Sequence, residues 1–252
     1  MRRFLILYAA LAYLFLYAPL AVLGVFSFNS SKLSVWAGFS LHWYASVFQN
    51  SALAEGTINS LIIAGVATVV STLCGTLAAY ALWKKRLAWL SQSLYLSLLT
   101  PEIVTGISLL VLFQWIFRFL HLHLGMLTVI LAHISFCVAY VVIVILARLR
   151  TFDAALEDAA LDLGANEWQA FLRVTVPILT PGILAAALLC FTVSFDDYVI
   201  TSLVAGVNSE TLPMIIYGLA RKGVSPDINA LSMLITCILG VFILLAGRLE
   251  KV

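Results

Sequence analysis

The sequence predicts an all-α membrane protein with six transmembrane helices. Of its 252 residues, 63% are hydrophobic and 10% are charged, and the mean hydropathy is +1.09. Soluble globular domains contain about 45–50% apolar and about 25% charged residues. A helix that crosses a bilayer needs roughly 20 apolar residues. Six stretches reach or approach that length, and they are Phe4–Phe26, Ile58–Trp83, Leu94–Phe117, Met126–Leu146, Ile178–Val204 and Ile228–Gly247.

The first and last stretches need separate arguments. Arg2 and Arg3 precede the first stretch, as basic residues precede the core of a signal peptide. Such a core has only about 7–15 apolar residues, so the longer run Phe4–Phe26 predicts an uncleaved helix. The last stretch is the weakest. Ser225, Pro226 and Asp227 at its start are typical of a helix N-terminus, because they supply a cap, a first-turn proline and a first-turn acid.

Lys and Arg residues predict the orientation, because they accumulate in cytoplasmic loops. One side of the predicted bundle carries Arg2, Arg3, Lys84, Lys85, Arg86, Arg148, Arg150, Arg173, Arg248 and Lys251, and the other carries Lys32, Arg118, Arg221 and Lys222. We therefore expect both termini and the loop between the fourth and fifth helices in the cytoplasm. The net charge of +2 is too small to indicate a nucleic-acid partner.

Two external loops are long enough to have a role of their own. The loop Ser27–Gly56 contains Trp36, Trp43 and Tyr44, and aromatic side chains of this kind often lie at the membrane–water boundary. An interfacial segment and a contact surface for an external partner are both compatible with this pattern. The loop Ala205–Asn229 would serve the same partner.

Three acidic residues fall inside predicted spans, where ionisable groups are costly and therefore candidates for function. Glu102 follows Pro101, which interrupts the backbone hydrogen bonds of the third span. A broken helix that carries an acid is suited to lining a water-filled cavity, and Thr105 would share that lining.

Asp196 and Asp197 lie in the fifth span. Asp197 shares a helix face with Ser194 and Thr201, which predicts a polar stripe and places Asp197 nearer to a water-filled path than Asp196. Together with Glu102, these residues would form an anionic route suited to a cation. A structural role is equally compatible with the pattern, in which one acid caps a helix break or pairs with a base of a partner subunit.

The remaining chemistry-bearing residues do not form a catalytic or metal site. Cys74, Cys137, Cys190 and Cys237 lie singly in different apolar stretches, as buried thiols do. His133 is alone in the fourth span and is expected to be a hydrogen-bonded packing residue, and His121 with His123 is too little for a metal. The sequence has no phosphate-binding GxxxxGK[ST] loop and no nucleophile arrangement, so enzyme catalysis is disfavoured.

The polar loop Asp158–Pro177 has a helical pattern of its own. Leu156, Ala159, Ala160 and Leu163 recur at three- and four-residue intervals on one face, whereas Glu157, Asp158, Leu161 and Asp162 occupy the other sides. Gly164 permits a turn, and Asn166 with Gln169 is typical of the start of a second helix. Pro177 marks the entrance to the next apolar helix.

This loop resembles the EAA loop of binding-protein-dependent ABC importer permeases. The likeness rests on Asp158-Ala159-Ala160, Gly164, and Val174, Val176 and Pro177 at the same spacing; Asp158 replaces the usual Glu, and the two valines replace Ile and Leu. The resemblance implies a type I ABC importer permease fold. It also implies a cytoplasmic coupling helix that docks on an ATPase through Glu157, Asp158, Ala159, Ala160, Gly164 and Ala165.

Over nearly the whole chain, the sequence is similar to the second membrane subunit of the spermidine/putrescine importers. The likeness rests on FSFNSSK from Phe26, PEIV from Pro101, HISFC from His133, Asp196-Asp197 and GVSPDINAL from Gly223. VWAG from Val35, with Trp43-Tyr44 after it, is closer to the putrescine type.

The resemblance implies that the chain has two parts. Residues 1–56 would form a first helix with its external loop, and residues 57–248 would form a five-helix core that includes the coupling loop 151–177. It implies a bacterial inner-membrane location. The implied partners are a second permease subunit, two ATPase subunits that bind ATP and Mg, and a periplasmic polyamine-binding protein, and no cofactor belongs to this chain. Two alternatives remain: a permease for another small solute, such as an amino acid, sugar or anion, and a passive channel or assembly subunit without ATP coupling.

Overall fold

The computed structural model describes residues 2–31, 35–85, 88–120, 123–221 and 226–249, and confirms the all-α class. Within these ranges the regular structure is helical, apart from an isolated bridge between Asn29 and Phe39. The helices are α1 (Arg2–Phe26), α2 (His42–Gln49), α3 (Ser51–Lys85), α4 (Ala88–Leu99), α5 (Glu102–Leu120), α6 (Met126–Leu149), α7 (Ala155–Asp162), α8 (Glu167–Ala170), α9 (Val176–Asp196), α10 (Val199–Val204), α11 (Leu212–Arg221) and α12 (Pro226–Leu249), with a π-helical turn, Phe171–Thr175, between α8 and α9.

Five of the six predicted spans correspond to helices that are long and apolar enough to cross a membrane. In the described part of the chain these segments are Phe4–Phe26, Ser51–Lys85, Glu102–Phe119, Met126–Leu149 and Glu167–Asp196. The sixth predicted span lies in α12, whose described apolar part is Pro226–Ile238. Several residues named above lie outside the described residues, namely Lys32, Arg86, His121, Lys222, Ser225 and Lys251.

The third and fifth spans are broken helices. The predicted interruption at Pro101 is confirmed, since α4 ends at Leu99 and α5 begins at Glu102. The predicted fifth span, Ile178–Val204, contains a break at the aspartate pair, as the helix-cap alternative had it. The helix starts upstream, at Glu167, and stops where Asp197 adopts an extended backbone with ψ 124° before α10 begins.

The chain forms two compact units, the first of which contains residues up to Glu55 and from Ile215 onward. Here α1 and α2 both pack against α12. The external loop folds around Asn29, whose side-chain amide donates to Val35 O at 2.9 Å and accepts from Ala37 N at 2.9 Å. Trp43 is buried and donates from Nε1 to Asn29 O at 2.7 Å. Trp43 therefore holds the loop together, whereas Trp36 is exposed.

The second unit, Gly56–Met214, contains the predicted polar sites and has α6 at its centre. One face of α6 packs against α9, where the thiols of Cys137 and Cys190 are buried as predicted. Cys74 and Cys237 are exposed, so the expectation of a buried thiol is wrong for these two. The predicted division of the chain after residue 56 assigns the last helix to the core, whereas here α12 packs in the first unit.

Helix α3 approaches α6 closely at Gly75. A Cβ atom at this position would lie 2.6 Å from Val141 Cγ1 and 3.3 Å from the Val138 carbonyl oxygen. Small residues permit such close packing between membrane helices.

We expect Gly75→Ile to lower the thermal unfolding midpoint of the purified permease, because overpacking of this kind costs about 1–3 kcal/mol. Gly65→Ile is the matched control on the same helix, because a Cβ atom at position 65 would have no neighbouring side chain within 4 Å. Equal midpoints for the two variants in detergent would contradict the close packing of α3 on α6.

Candidate functional site

The two broken helices lie on opposite sides of one cavity in the second unit. The cavity has a volume of about 380 Å³, and its wall is formed by the ends of α4, α5, α9 and α10 together with one face of α6. A helix break exposes backbone groups that would otherwise be hydrogen-bonded, and in a membrane such a break is tolerated where it lines a polar cavity. The polar side chains of the wall include Thr100, Glu102, Thr105, Tyr140, Asp196 and Tyr198.

Two exposed carboxylates face this cavity from different helices. Glu102 lies in the first turn of α5 and Asp196 is the last residue of α9. Both side chains are exposed and both line the cavity, with Thr105 beside Glu102. The structure thus brings together four of the residues that the sequence predicted for a pathway, since Asp197 also lines the cavity, and the local charge of the site is negative.

Asp197 also lines the cavity, and its contacts are those of the structural alternative, in which one acid caps a helix break. Its side chain is only 7% exposed. Oδ2 accepts hydrogen bonds from Thr201 N at 2.8 Å and from Thr201 Oγ1 at 2.7 Å, and Oδ1 accepts one from Ile200 N at 3.4 Å. Asp197 therefore caps the N-terminus of α10, and Asp196, not Asp197, is the more exposed acid. The cause is the helix break, which rotates the two neighbouring side chains away from each other.

His133 joins α6 to both pieces of the broken helix. The ring of His133 is 1% exposed. Its Nδ1 lies 2.6 Å from Ser194 Oγ. Its Nε2 lies 2.9 Å from Thr201 Oγ1 and 3.5 Å from Asp197 Oδ2. His133 is thus the hydrogen-bonded packing residue that the sequence predicted. Ser194 and Thr201 are buried in this network, so they support the cavity wall from behind.

The carboxylate of Asp197 sets the direction of the hydrogen bonds next to it. An ionised Asp197 only accepts, so the Thr201 hydroxyl donates to Asp197 and its oxygen accepts from His133 Nε2–H. The other ring nitrogen, Nδ1, forms a hydrogen bond with the Ser194 hydroxyl. Every polar side-chain atom of these four residues has a partner, which makes the network a rigid support.

Sequence reasoning missed the aromatic lining of the cavity. Phe136, Tyr140 and Tyr198 contribute to its wall. A periodic signal was present, because His133, Phe136 and Tyr140 recur at three- and four-residue intervals along one face of α6. Within the described residues, no group of three or more His, Cys, Asp and Glu side chains is placed to hold a metal.

The loop between α6 and α9 has the predicted sequence of helix, turn and helix. Gly164 follows α7 with a φ of +90°, a conformation that side chains with a Cβ resist. Asn166 then caps α8, since Gln169 N donates to Asn166 Oδ1 at 2.8 Å and Asn166 N donates to Gln169 Oε1 at 3.1 Å. Pro177 lies in the first turn of α9, as expected.

The orientation of α7 differs from the expectation in one respect. Glu157, predicted on the polar side with Asp158, is 1% exposed, whereas Leu156 and Leu163 on the apolar side are 47% and 90% exposed. Asp158 and Ala159 are exposed as well, and Ala160 and Ala165 are half-buried. The outer surface of α7 therefore combines exposed apolar side chains with the exposed Asp158 and Asp162, and its one buried acid points into the protein.

Glu157 is held by the C-terminal end of α3. The Tyr80 hydroxyl donates a short hydrogen bond to Glu157 Oε1, and Lys84 Nζ lies 3.2 Å from the same oxygen. The Tyr80 ring packs on Phe171, with 4.5 Å between the ring centroids. A buried charge is tolerated where it is paired and hydrogen-bonded in this way.

We expect His133→Ala to destabilise the permease by about 2–3 kcal/mol, because Ser194 and Thr201 would lose their partners in a buried site. Thermal unfolding of the purified protein measures the effect. His123→Ala is the control, since His123 is exposed. An unfolding midpoint shared by the two variants would show that the network does not hold α6 to α9 and α10.

Known proteins resemble this chain over most of its length. Residues 71–252 match the family described as binding-protein-dependent transport system inner membrane component. The chain is 41% identical over 238 residues to the putrescine transport system permease protein PotI of Escherichia coli, covering 92% of this chain and 85% of that protein. It is 37% identical over 241 residues to the spermidine/putrescine transport system permease protein PotC of the same species, covering 94% and 89%.

Two solved structures share the fold at low sequence identity. One is a bacterial ABC transporter involved in the import of the acidic polysaccharide alginate, with a TM-score of 0.76, 18% identity and coverage of 99% of this chain and 96% of that one. The other is a bacterial alginate ABC transporter in complex with an alginate pentasaccharide-bound periplasmic protein, with a TM-score of 0.75, 19% identity and coverage of 99% and 95%. The predicted ABC importer permease fold is thereby confirmed.

The family match covers most of the chain, and it includes both the cavity and the cytoplasmic loop. Relatives that are more than 35% identical extend over nine-tenths of the chain. The protein belongs to the binding-protein-dependent inner-membrane components of ABC importers, as a multi-pass permease subunit that is not an enzyme by itself.

Proposed function

We propose that this chain is a transmembrane permease subunit of an ATP-driven importer that moves polyamines, putrescine or spermidine, across the inner membrane into the cytoplasm. The observation that carries the proposal is the pair of exposed carboxylates, Glu102 and Asp196, on two sides of one cavity. The relatives named for putrescine and spermidine/putrescine transport support the same solute class.

The charge and shape of the cavity suit an aliphatic polyamine. Its ammonium groups are attracted by Glu102 and Asp196, and the attraction is stronger where water is scarce. The aromatic faces of Tyr140 and Tyr198 contribute apolar contact for methylene groups and favourable contact for an ammonium group. An anion would be repelled by both carboxylates, so this cavity disfavours an anionic solute.

The proposed assembly contains a second permease subunit, two ATPase subunits that bind ATP and Mg, and a periplasmic polyamine-binding protein. The exposed apolar surface of α7, with Leu156 and Leu163, is the expected docking surface for an ATPase. Asp158, Ala159, Ala160, Gly164 and Ala165 form or shape that surface. The distribution of Lys and Arg supports cytoplasmic termini and a cytoplasmic α7.

A carboxylate at position 196 is expected to be necessary for rapid uptake. In the reconstituted importer, Asp196→Asn should slow putrescine uptake by about tenfold or more, because a hydrogen bond to a charged group contributes about 1.5–3 kcal/mol. Asp196→Glu keeps the charge and is the matched control, with a smaller loss expected. Unchanged uptake by Asp196→Asn at limiting solute would contradict the proposed cation pathway.

The turn after α7 is expected to be necessary for ATP-driven transport. Gly164→Val places a β-branched residue at a φ of +90° and strains the loop by about 1–2 kcal/mol or more. Uptake should fall while membrane insertion stays normal. Gly164→Asn is the control, because Asn tolerates positive φ better. Normal ATP-driven uptake by the Val variant would count against docking through α7. In a separate experiment, uptake by vesicles that contain no ATPase subunit would favour a passive channel.

A further inference from the structure

Glu157 is the one buried acid of the cytoplasmic loop. Its side chain is 1% exposed, whereas Asp153, Asp158, Asp162 and Glu167 are exposed. Burial of a carboxylate is unfavourable unless partners replace the lost water. The position of Glu157 also excludes direct contact with a docked subunit, because almost none of its surface is accessible. Its interactions are therefore made within the chain.

Both partners of Glu157 come from one face of α3. Tyr80 and Lys84 are four residues apart, so their side chains emerge on the same side of the helix. The Tyr80 hydroxyl and Lys84 Nζ meet at Glu157 Oε1, the ammonium at 3.2 Å, and Oε2 has no hydrogen-bond partner among the described residues. The same ammonium lies 5.9 Å from the ring centroids of Tyr80 and Trp83.

Helices α3 and α6 also make contacts nearer to the cavity. Gly75, slightly more than one turn before Tyr80, gives α3 its close approach to Val141 on α6. His133, two turns back along α6, holds the broken helix at Asp197. Rigid elements in contact can pass a displacement from one site to another, and a measured coupling is the evidence that they do.

We propose that Glu157 is a positioning residue that fastens α7 to the cytoplasmic end of α3 through Tyr80 and Lys84, so that a displacement of α7 is passed to α3 and not absorbed by the loop. The inference rests on the proposed docking of an ATPase on α7. It separates two roles on that helix. Leu163 and Asp158 face the docked subunit, and Glu157 faces inward and transmits the movement.

The test measures ATP hydrolysis and putrescine uptake in the same reconstituted importer. Glu157→Gln removes the charge that Lys84 neutralises while it keeps a similar shape. We expect the ATPase subunits to remain bound and hydrolysis to continue, and the amount of putrescine imported per ATP to fall by about three- to tenfold, as for loss of a charged hydrogen bond. Lys84→Met should do the same. Lys85→Met is the matched control, because Lys85 is the exposed neighbour of Lys84.

A double variant tests whether the residues act through one contact. If they do, Lys84→Met combined with Glu157→Gln is no worse than the more severe single variant, because both remove the same ion pair. Fully additive losses would overturn the inference. If Glu157→Gln is not inserted into the membrane, Tyr80→Phe tests the inference by itself, because it removes only one hydroxyl group. Normal import per ATP in Tyr80→Phe would overturn the inference.

Leu163→Glu distinguishes failure of this inference from failure of the proposed function. Leu163 is 90% exposed on α7, so a charge there should release the ATPase subunits without changing the fold. If Glu157→Gln also releases them, Glu157 belongs to the docking surface and the inference is wrong. If Leu163→Glu leaves both ATPase binding and uptake normal, docking on α7 is itself wrong, and the inference fails with it.

Discussion

The structure depends on how one helix break in the membrane is stabilised. Backbone groups that are freed inside a bilayer must find partners within the protein. Here the carboxylate of Asp197 accepts from the backbone of Ile200 and Thr201 and so supplies the start of α10 with its missing acceptor. His133 then ties the capped helix to α6. The break is thereby made rigid, and the side chains next to it are held at the wall of a cavity.

The same arrangement of two acids occurs at both functional regions. In each, an acid that faces into the protein is adjacent in sequence to an acid that faces out. Asp197 is bonded to the protein and Asp196 lines the cavity; Glu157 is bonded to α3 and Asp158 is exposed. Adjacent residues on a helix point about 100° apart, which separates Glu157 from Asp158 on α7, whereas Asp196 and Asp197 are separated where α9 ends and Asp197 takes an extended backbone. The inner acid fixes the geometry in which the outer acid acts.

Local chemistry explains which features the sequence predicted correctly. The break at Pro101, the turn at Gly164 and the cap formed by Asn166 and Gln169 each depend on residues within a few positions of one another. The orientation of each acid pair depends on partners far away in the chain, since Glu157 is bound by Tyr80 and Asp197 by His133. No local pattern contains that information. The burial of Glu157, away from the exposed Asp158 and Asp162 of the same polar side of α7, has the same cause.

In the proposed function, side chains at the breaks select the solute, because the arrangement of helices is not particular to one solute. At 18% identity the same fold occurs in a transporter involved in the import of alginate, an acidic polysaccharide. A polyamine, the solute proposed for this chain, is instead a cation. The side chains that give the cavity wall its exposed negative charge lie next to the breaks. They are Glu102, which follows Pro101, and Asp196, which precedes Asp197. Substitution at these two positions changes the charge of the cavity without changing the hydrogen bonds that build it, since both side chains lie outside the network of Asp197 and His133.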